Sequence, residues 1–272
     1  MGLNRSTLYY IGRGNRNDEA LRIRLKELAA QYKRWGCPML HHVLRREGFV
    51  MNHKRTWRIY KEEKLGLKRH RRKRHLPSDL RKNMPAPTRP NELWAMDFII
   101  DRLQDGRRLK IFTLIDEFNK RCLAMEIDTS ISSERVARIL QEVASRVGYP
   151  KAIRSDNGPE FTSKALFNWR RDNGVEPLFI DPGKPTQNAF AESFHGRFRE
   201  ECLNENWFVA LDEARQICAD WRLMYNSFRP HTSLGRLTPD EFTKKYYAVA
   251  NNATTAVFKE QMSSDIKLLT GT

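Results

Sequence analysis

Three acidic residues have the type and setting for metal-assisted phosphoryl transfer. Asp97 lies inside the apolar run Trp94 to Ile100 (WAMDFII). Asp156 follows the short stretch Ala152 to Ser155 and opens a sharp turn, Asp156-Asn157-Gly158-Pro159. Glu192 falls in a segment of helical spacing that runs from about Gln187 to Leu203. A charge inside an apolar strand is costly unless it is paired or bound to a cation. Carboxylates gathered at one place also repel unless a cation sits between them. Hard oxygen ligands favour Mg2+ or Mn2+. Two such ions suit phosphodiester chemistry, one activating a water or hydroxyl and the other stabilising the leaving oxygen. Taken singly, each acid also has a plain reading: a strand-edge acid in solvent, a turn former, and a helix-surface residue.

The elements that must position these acids are readable from the hydrophobic pattern. Trp94 to Ile100, Leu109 to Ile115 (LKIFTLI) and Cys122 to Ile127 (CLAMEI) read as strands, with Asp105-Gly106 as a turn between the first two. Ser132 to Val147 is an amphipathic helix with Val136, Ile139, Leu140, Val143 and Val147 on one face. Ala152 to Ser155 is a short strand, Ser163 to Asn173 a helix, and Val175 to Ile180 a strand that Pro177 marks as an edge. The order is strand, strand, strand, helix, strand, helix, strand, helix. It predicts an α/β fold with a mixed sheet, hairpins first and crossovers later. Leu211 to Asn226 reads as a further amphipathic helix. Thr238-Pro239-Asp240-Glu241 is a capping box with proline at the first helical position. Asp101 and Asp116 compete with the three acids for a catalytic role and read as structural. Trp169 and Trp207 read as core residues.

The first third is built differently. Asp18 to Tyr32 places Leu21, Leu25, Leu28 and Tyr32 at helical spacing, with Asp18 as its cap. Gly36 and Pro38 break that helix, and a shorter one runs from about Met39 to Arg46. Asn52 caps a third helix, His53 to Lys64, with Trp57 and Tyr60 on one face and Lys54, Arg55, Arg58 and Lys61 on the others. Three short helices with a basic third helix outline a helix-turn-helix module. Lys68 to Arg74 (KRHRRKR) is a phosphate-tracking run that no core can absorb. Four prolines between Pro77 and Pro90 then read as an extended linker.

Charge follows the same division. The net charge is +16; residues 1–90 hold 24 Lys and Arg against 7 Asp and Glu, and residues 91–272 hold 25 against 26. A basic block beside a near-neutral one points to a polyanion-binding part joined to a part with another task. Cys37, Cys122, Cys202 and Cys218 form no CxxC pair, which argues against a disulfide scaffold or a cysteine zinc site and fits a cytoplasmic setting. No run of 18 apolar residues is present, so a membrane-spanning helix is excluded.

Asp156 and Glu192 are separated by 35 residues. With that spacing, the stretches Trp94-Ala95-Met96-Asp97-Phe98, Ser155-Asp156-Asn157-Gly158-Pro159-Glu160-Phe161 and Pro182-Gly183-Lys184-Pro185-Thr186-Gln187-Asn188-Ala189-Phe190-Ala191-Glu192-Ser193 resemble the DDE transposases and retroviral-type integrases. The resemblance is greatest to the second-frame catalytic transposase of bacterial insertion sequences of the IS-three group, and extends to Tyr225-Asn226, Arg229-Pro230-His231 and Ser233-Leu234-Gly235. It implies a ribonuclease-H-like catalytic core preceded by a small all-α helix-turn-helix domain. The expected division is residues 1–76 for DNA binding, 77–90 as linker, 91–205 as the catalytic core and 206–272 as a C-terminal helical extension and tail.

The resemblance implies that Asp97, Asp156 and Glu192 are the catalytic metal ligands, with two Mg2+ or Mn2+ ions as cofactors. Arg199 matches the family's basic residue seven positions after the glutamate, and helical spacing puts Glu192, His195, Gly196 and Arg199 on one stripe. The expected DNA contacts are Arg199, His195, Asn157, Lys184, Lys54, Arg55, Arg58, Lys68, Arg69, Arg71, Arg72, Lys73 and Arg74. The expected partners are transposon-end and target DNA, further copies of the chain on that DNA, and an upstream-frame helix-turn-helix protein or fusion. That setting is the bacterial cytoplasm, at the nucleoid. Two alternatives stay open at this point: a non-catalytic or domesticated DNA-binding protein, and a ribonuclease-H-like nuclease of RNA–DNA hybrids. Trp35-Gly36-Cys37-Pro38 departs from the family pattern, and its proline is expected to shorten the second helix.

Overall fold

The computed structural model describes residues 18–67, 86–180 and 189–249. They belong to two compact units, which divide between residues 74 and 75. The expected contacts Lys68, Arg69, Arg71, Arg72, Lys73, Arg74 and Lys184 lie outside the described residues, as does the tail from residue 250.

Among its described residues the N-terminal unit has three helices: α1 (Asp18–Gln31), α2 (Cys37–Arg46) and α3 (His53–Glu62). Leu21, Leu25 and Leu28 of α1, Leu40, Val43 and Leu44 of α2 and Ile59 of α3 are all buried. Pro38 does not shorten α2. It sits in the first turn, where the missing N–H has no helical acceptor to lose, so α2 begins at Cys37. The Asn52 side chain caps α3 by accepting from the Lys54 N–H. The buried side of α3 is Thr56, Ile59 and Tyr60 rather than the expected Trp57 and Tyr60. Thr56 bonds His41 Nδ1 at 2.8 Å, a polar tie between α2 and α3. Trp57 instead lies half out in solvent under the Lys61 ammonium.

The larger unit is built on a five-stranded sheet of order β3-β2-β1-β4-β5. The strands are β1 (Leu93–Arg102), β2 (Arg108–Asp116), β3 (Cys122–Asp128), β4 (Ala152–Ser155) and β5 (Glu176–Phe179). β1, β2 and β3 pair antiparallel, and β4 and β5 add in parallel. Short hairpin connections make the first pairings antiparallel. The later strands need helical crossovers and so come back parallel. Those crossovers are α4 (Ser133–Val147) and α5 (Lys164–Asp172). β5 is an edge, as Pro177 requires, since proline cannot donate to a second neighbour.

Strand alternation splits the core in two. Trp94, Met96, Phe112 and Leu114 face α4 and α5, where Val136, Leu140, Val143, Leu166 and Trp169 meet them. Ile99, Leu109, Ile111 and Ile115 face the other way. They are covered by Phe194 and Phe198 of α6 (Ala189–Glu201) and by Cys218, Trp221 and Tyr225 of α7 (Leu211–Ser227). The C-terminal helix α7 is therefore packed into the same core as the helix that carries Glu192. The capping box forms as expected, Thr238 and Glu241 exchanging side-chain to backbone bonds, and a further helix runs over 239–249.

Two buried polar ties fasten this C-terminal part. The Asn226 amide pairs with both backbone groups of Cys122, at 2.9 Å each. The Arg229 guanidinium bonds both oxygens of Glu201, and both side chains are buried. Tyr225-Asn226 and Arg229-Pro230-His231 thus lock α7 to β3 and to the end of α6.

Candidate active site

Asp97 sits at the middle of β1 on the face that looks toward α6, the side shared with Ile99. Its register partner on β2 is Thr113, a fully buried hydroxyl. Thr113 Oγ1 donates to the Asp97 carbonyl at 3.1 Å and lies 2.9 Å from His195 Nε2. His195 Nδ1 in turn lies 3.6 Å from Asp97 Oδ2. Burial lowers the His195 pKa to about 4, aided by the Arg199 charge, so the imidazole is neutral at pH 7.

Asp156 and Glu192 stand on other elements, near enough for their charges to act on Asp97. Asp156 stands just past the end of β4, the strand that pairs in parallel with β1. Its Oδ1 accepts from the Gly158 N–H at 2.9 Å. A Cβ on Gly158 would lie 3.0 Å from that same oxygen, so a larger residue there would push the Asp156 carboxylate aside by a few tenths of an ångström. The Asn157 amide fixes the turn to β5 by donating to the Ile180 carbonyl at 3.0 Å. Glu160 is held by the Lys110 ammonium, which also lies over the Phe98 ring. Glu192 is exposed in the first turn of α6.

Electrostatics link the three acids. The Asp97 carboxyl is pushed up to about 6, first by burial and then by the negative charges of Asp156 and Glu192. Among the described residues, no three His, Cys, Asp or Glu side chains stand close enough to hold a metal ion as they are placed. The three acids are hard oxygen donors, and burial together with the charges of the other two already disfavours ionised Asp97. That is the donor chemistry that suits a Mg2+ or Mn2+ ion.

The other expected contacts divide. Arg199 is exposed on α6, and its guanidinium reaches the Ile100 carbonyl at 3.4 Å. His195 is largely enclosed, and its ring bonds within the site. In the N-terminal unit Lys54 is exposed, whereas Arg55 and Arg58 both grip the Asp18 carboxylate, at 2.6 and 2.7 Å. Asp116 is not at the site. It is fully buried and accepts from the Asn91 and Phe118 N–H groups.

Sequence reasoning missed Thr113 and Lys110. Each is a polar residue in the otherwise apolar run LKIFTLI, and that misfit was the available signal. It also misplaced Trp207, which is 84% exposed, while the neighbouring Phe208 is buried at 3%. Trp169 is in the core, as expected, with its indole N–H on Gln141.

The sequence matches integrase core domain models over residues 87–185 and 173–239, and an HTH-like domain over residues 16–74. It is 47% identical to the insertion element IS407 uncharacterized 31.7 kDa protein of Burkholderia multivorans, over 92% of this chain and 90% of that one. It is 46% identical to the insertion element IS476 uncharacterized 39.2 kDa protein of Xanthomonas euvesicatoria, over 86% of this chain and 68% of that one. A chain of the simian T-cell lymphotropic virus intasome in complex with PP2A regulatory subunit B56 gamma shares the fold, with a TM-score of 0.53 at 15% identity, covering 80% of this chain and 74% of that one. The chain belongs to the DDE transposases of bacterial insertion sequences. Among the described residues no helix is long and apolar enough to cross a membrane.

Proposed function

We propose that Asp97, Asp156 and Glu192 are the catalytic carboxylates of this transposase and would together hold two Mg2+ or Mn2+ ions. The observation that carries this reading is the state of Asp97. It is an acid on an apolar strand whose carboxyl is raised to about 6 by burial and by the other two acids. Bound there, the ions would polarise the phosphodiester and the attacking oxygen.

The chain's own residues set up the rest. His195, neutral and tied to Thr113, holds the Asp97 side of the site and limits water there. Gly158 and Asn157 fix the turn that presents Asp156. Arg199 and Lys184 bind phosphate oxygens of the strand being cut. In the first reaction water attacks the phosphodiester at a transposon end, and the 3′-oxygen leaves as a free hydroxyl. In the second, that hydroxyl attacks a phosphodiester of the target in line. One P–O bond forms as another breaks, with no covalent bond to the protein.

Lys54, Arg55, Arg58 and the basic run from Lys68 to Arg74 grip the DNA backbone. Joining two ends calls for further copies of the chain on the DNA. An upstream-frame helix-turn-helix protein, separate or fused, is the further partner on this reading, at the nucleoid. The test is Asp156→Asn, measured for joining of end duplexes to a supercoiled target and for DNA affinity. Joining is expected to disappear while affinity stays within about twofold, because one carboxylate adds little to backbone binding. Normal joining by that variant removes the reading.

A further inference from the structure

We propose that the cavity beside Trp207 takes an unpaired nucleobase of the DNA on which the enzyme acts. The inference rests on the DNA-joining reading above and extends it to a second binding place on the same unit.

The cavity has a volume of about 470 Å3. One wall is the tip of the β1–β2 hairpin, including Arg102 and Gln104, and the other is the connector from α6 to α7, including Asn204, Asn206 and Trp207. The two walls are tied together by the Gln104 N–H, which donates to the Phe208 carbonyl at 2.9 Å. The connector buries Phe208 beneath the cavity and leaves the Trp207 indole 84% exposed at its lip. An indole so placed loses the burial that most tryptophans gain. A planar ligand stacking on it would restore that burial.

The polar part of the lining selects among planar ligands. Gln104, Asn204 and Asn206 each carry a carboxamide, which offers a donor and an acceptor side by side. The Asn206 amide nitrogen is held by the Cys202 carbonyl at 2.7 Å, which leaves its oxygen to accept. Carboxamides of this kind match the paired donor and acceptor edges of bases. An aromatic platform with such amides is the chemistry that holds a base outside the stack.

The surroundings suit a nucleic-acid strand. Arg102, Arg107 and Arg108 are exposed on the hairpin, where Asp105 pairs with Arg107. Arg199, on the helix that carries Glu192, touches the Ile100 carbonyl on the strand leading into the cavity wall. From Glu192 to Arg199 is roughly 10 Å along α6. A strand leaving the acids along that helix therefore meets Arg199 and then the cavity. A face for a second protein copy is depleted of charge at its centre, whereas Arg102, Asp101 and three carboxamides line this one.

The test uses the full chain and a duplex of the element's terminal sequence, taken from the DNA flanking the gene. Its last nucleotides are left unpaired, and one of them is replaced by 5-iodo-dU. Irradiation is expected to cross-link that base to the peptide containing Trp207. Trp207→Ala is expected to lose the cross-link and to bind the unpaired-end duplex about tenfold more weakly. The same variant should bind a fully paired duplex as before, and Trp207→Phe should retain most of the effect. Because Trp207 is exposed, the melting temperature of Trp207→Ala should match the parent protein, which checks the fold. A cross-link mapping elsewhere, or equal affinity of Trp207→Ala for both duplexes, overturns the proposal. So does a change in oligomer size with the cross-link intact, which would assign the face to a second copy. Asp156→Asn separates the two readings: it should keep the cross-link while losing joining, and its failure to lose joining would count against the acids and leave the cavity untouched.

Discussion

Asp97 Oδ2 and His195 Nδ1 stand 3.6 Å apart, an acid of the central strand facing a neutral imidazole of the covering helix. The imidazole is fixed at its far side by Thr113, whose hydroxyl also bonds the Asp97 carbonyl. His195 is therefore a positioning residue for Asp97. His195→Ala removes the ring packed beside the Oδ2 of that carboxylate, whose Oδ1 the Phe98 N–H still holds at 2.7 Å, and lets water reach it. Single-turnover joining is expected to fall about 10- to 100-fold, the usual cost of losing a group that orients a metal-binding side chain. The Mg2+ concentration giving half-maximal joining should rise, which a loss of general stability alone would not produce.

Asp97 also sets a trade between function and stability. Its carboxyl ionises less readily in the folded chain than in the unfolded one, with a pKa near 6 against 3.8. Its contribution to stability is full below the unfolded value and is lost as pH rises through about 6. Asp97→Asn removes the charge. At pH 7.5 in EDTA the variant should be the more stable protein, by up to about 3 kcal/mol. The gap should close on acidification to about pH 3.5, while joining is absent throughout. Thermal melting of both proteins across that pH range reads the effect, and a variant less stable than the parent at pH 7.5 contradicts it.

Glu201 and Arg229 form a buried ion pair, with side chains 7% and 8% exposed. Arg229→Ala leaves the Glu201 carboxylate uncompensated at the end of α6. The expected loss is about 3–5 kcal/mol, read as a drop in the midpoint of urea unfolding. Combining it with Glu201→Leu should recover part of that loss, because the stranded charge goes. If the double variant is no more stable than Arg229→Ala alone, the pair is not what holds α7 against α6.

Much of the fold was legible in the chain. The runs WAMDFII, LKIFTLI and CLAMEI alternate or cluster apolar residues too plainly to be helices, and they became β1, β2 and β3 within a residue or two. Ser132, Ser163, Asn52 and Thr238 each announced a helix start, because capping is a local bond between near neighbours. Asp97, Asp156 and Glu192 stood out by setting and by the spacing of the last two. Local misreadings arose where two rules met. Pro38 reads as shortening the second helix, but in the first helical turn it costs no hydrogen bond.

What the sequence could determine by itself was therefore local or periodic: which segments are strands and helices, where they begin, and which acids sit in places that acids avoid. Only the tertiary structure decided which residues meet. Thr113 faces Asp97 because β1 and β2 pair in one register, and a shift by one residue would turn that hydroxyl to the other face. Trp207 lies outside and Phe208 inside because the core formed by α6, α7 and the sheet takes the phenyl ring at that point of the connector. Neither choice is written in the neighbouring residues. Both are settled by long-range packing, where the free energy belongs to surfaces that the chain brings together from distant positions.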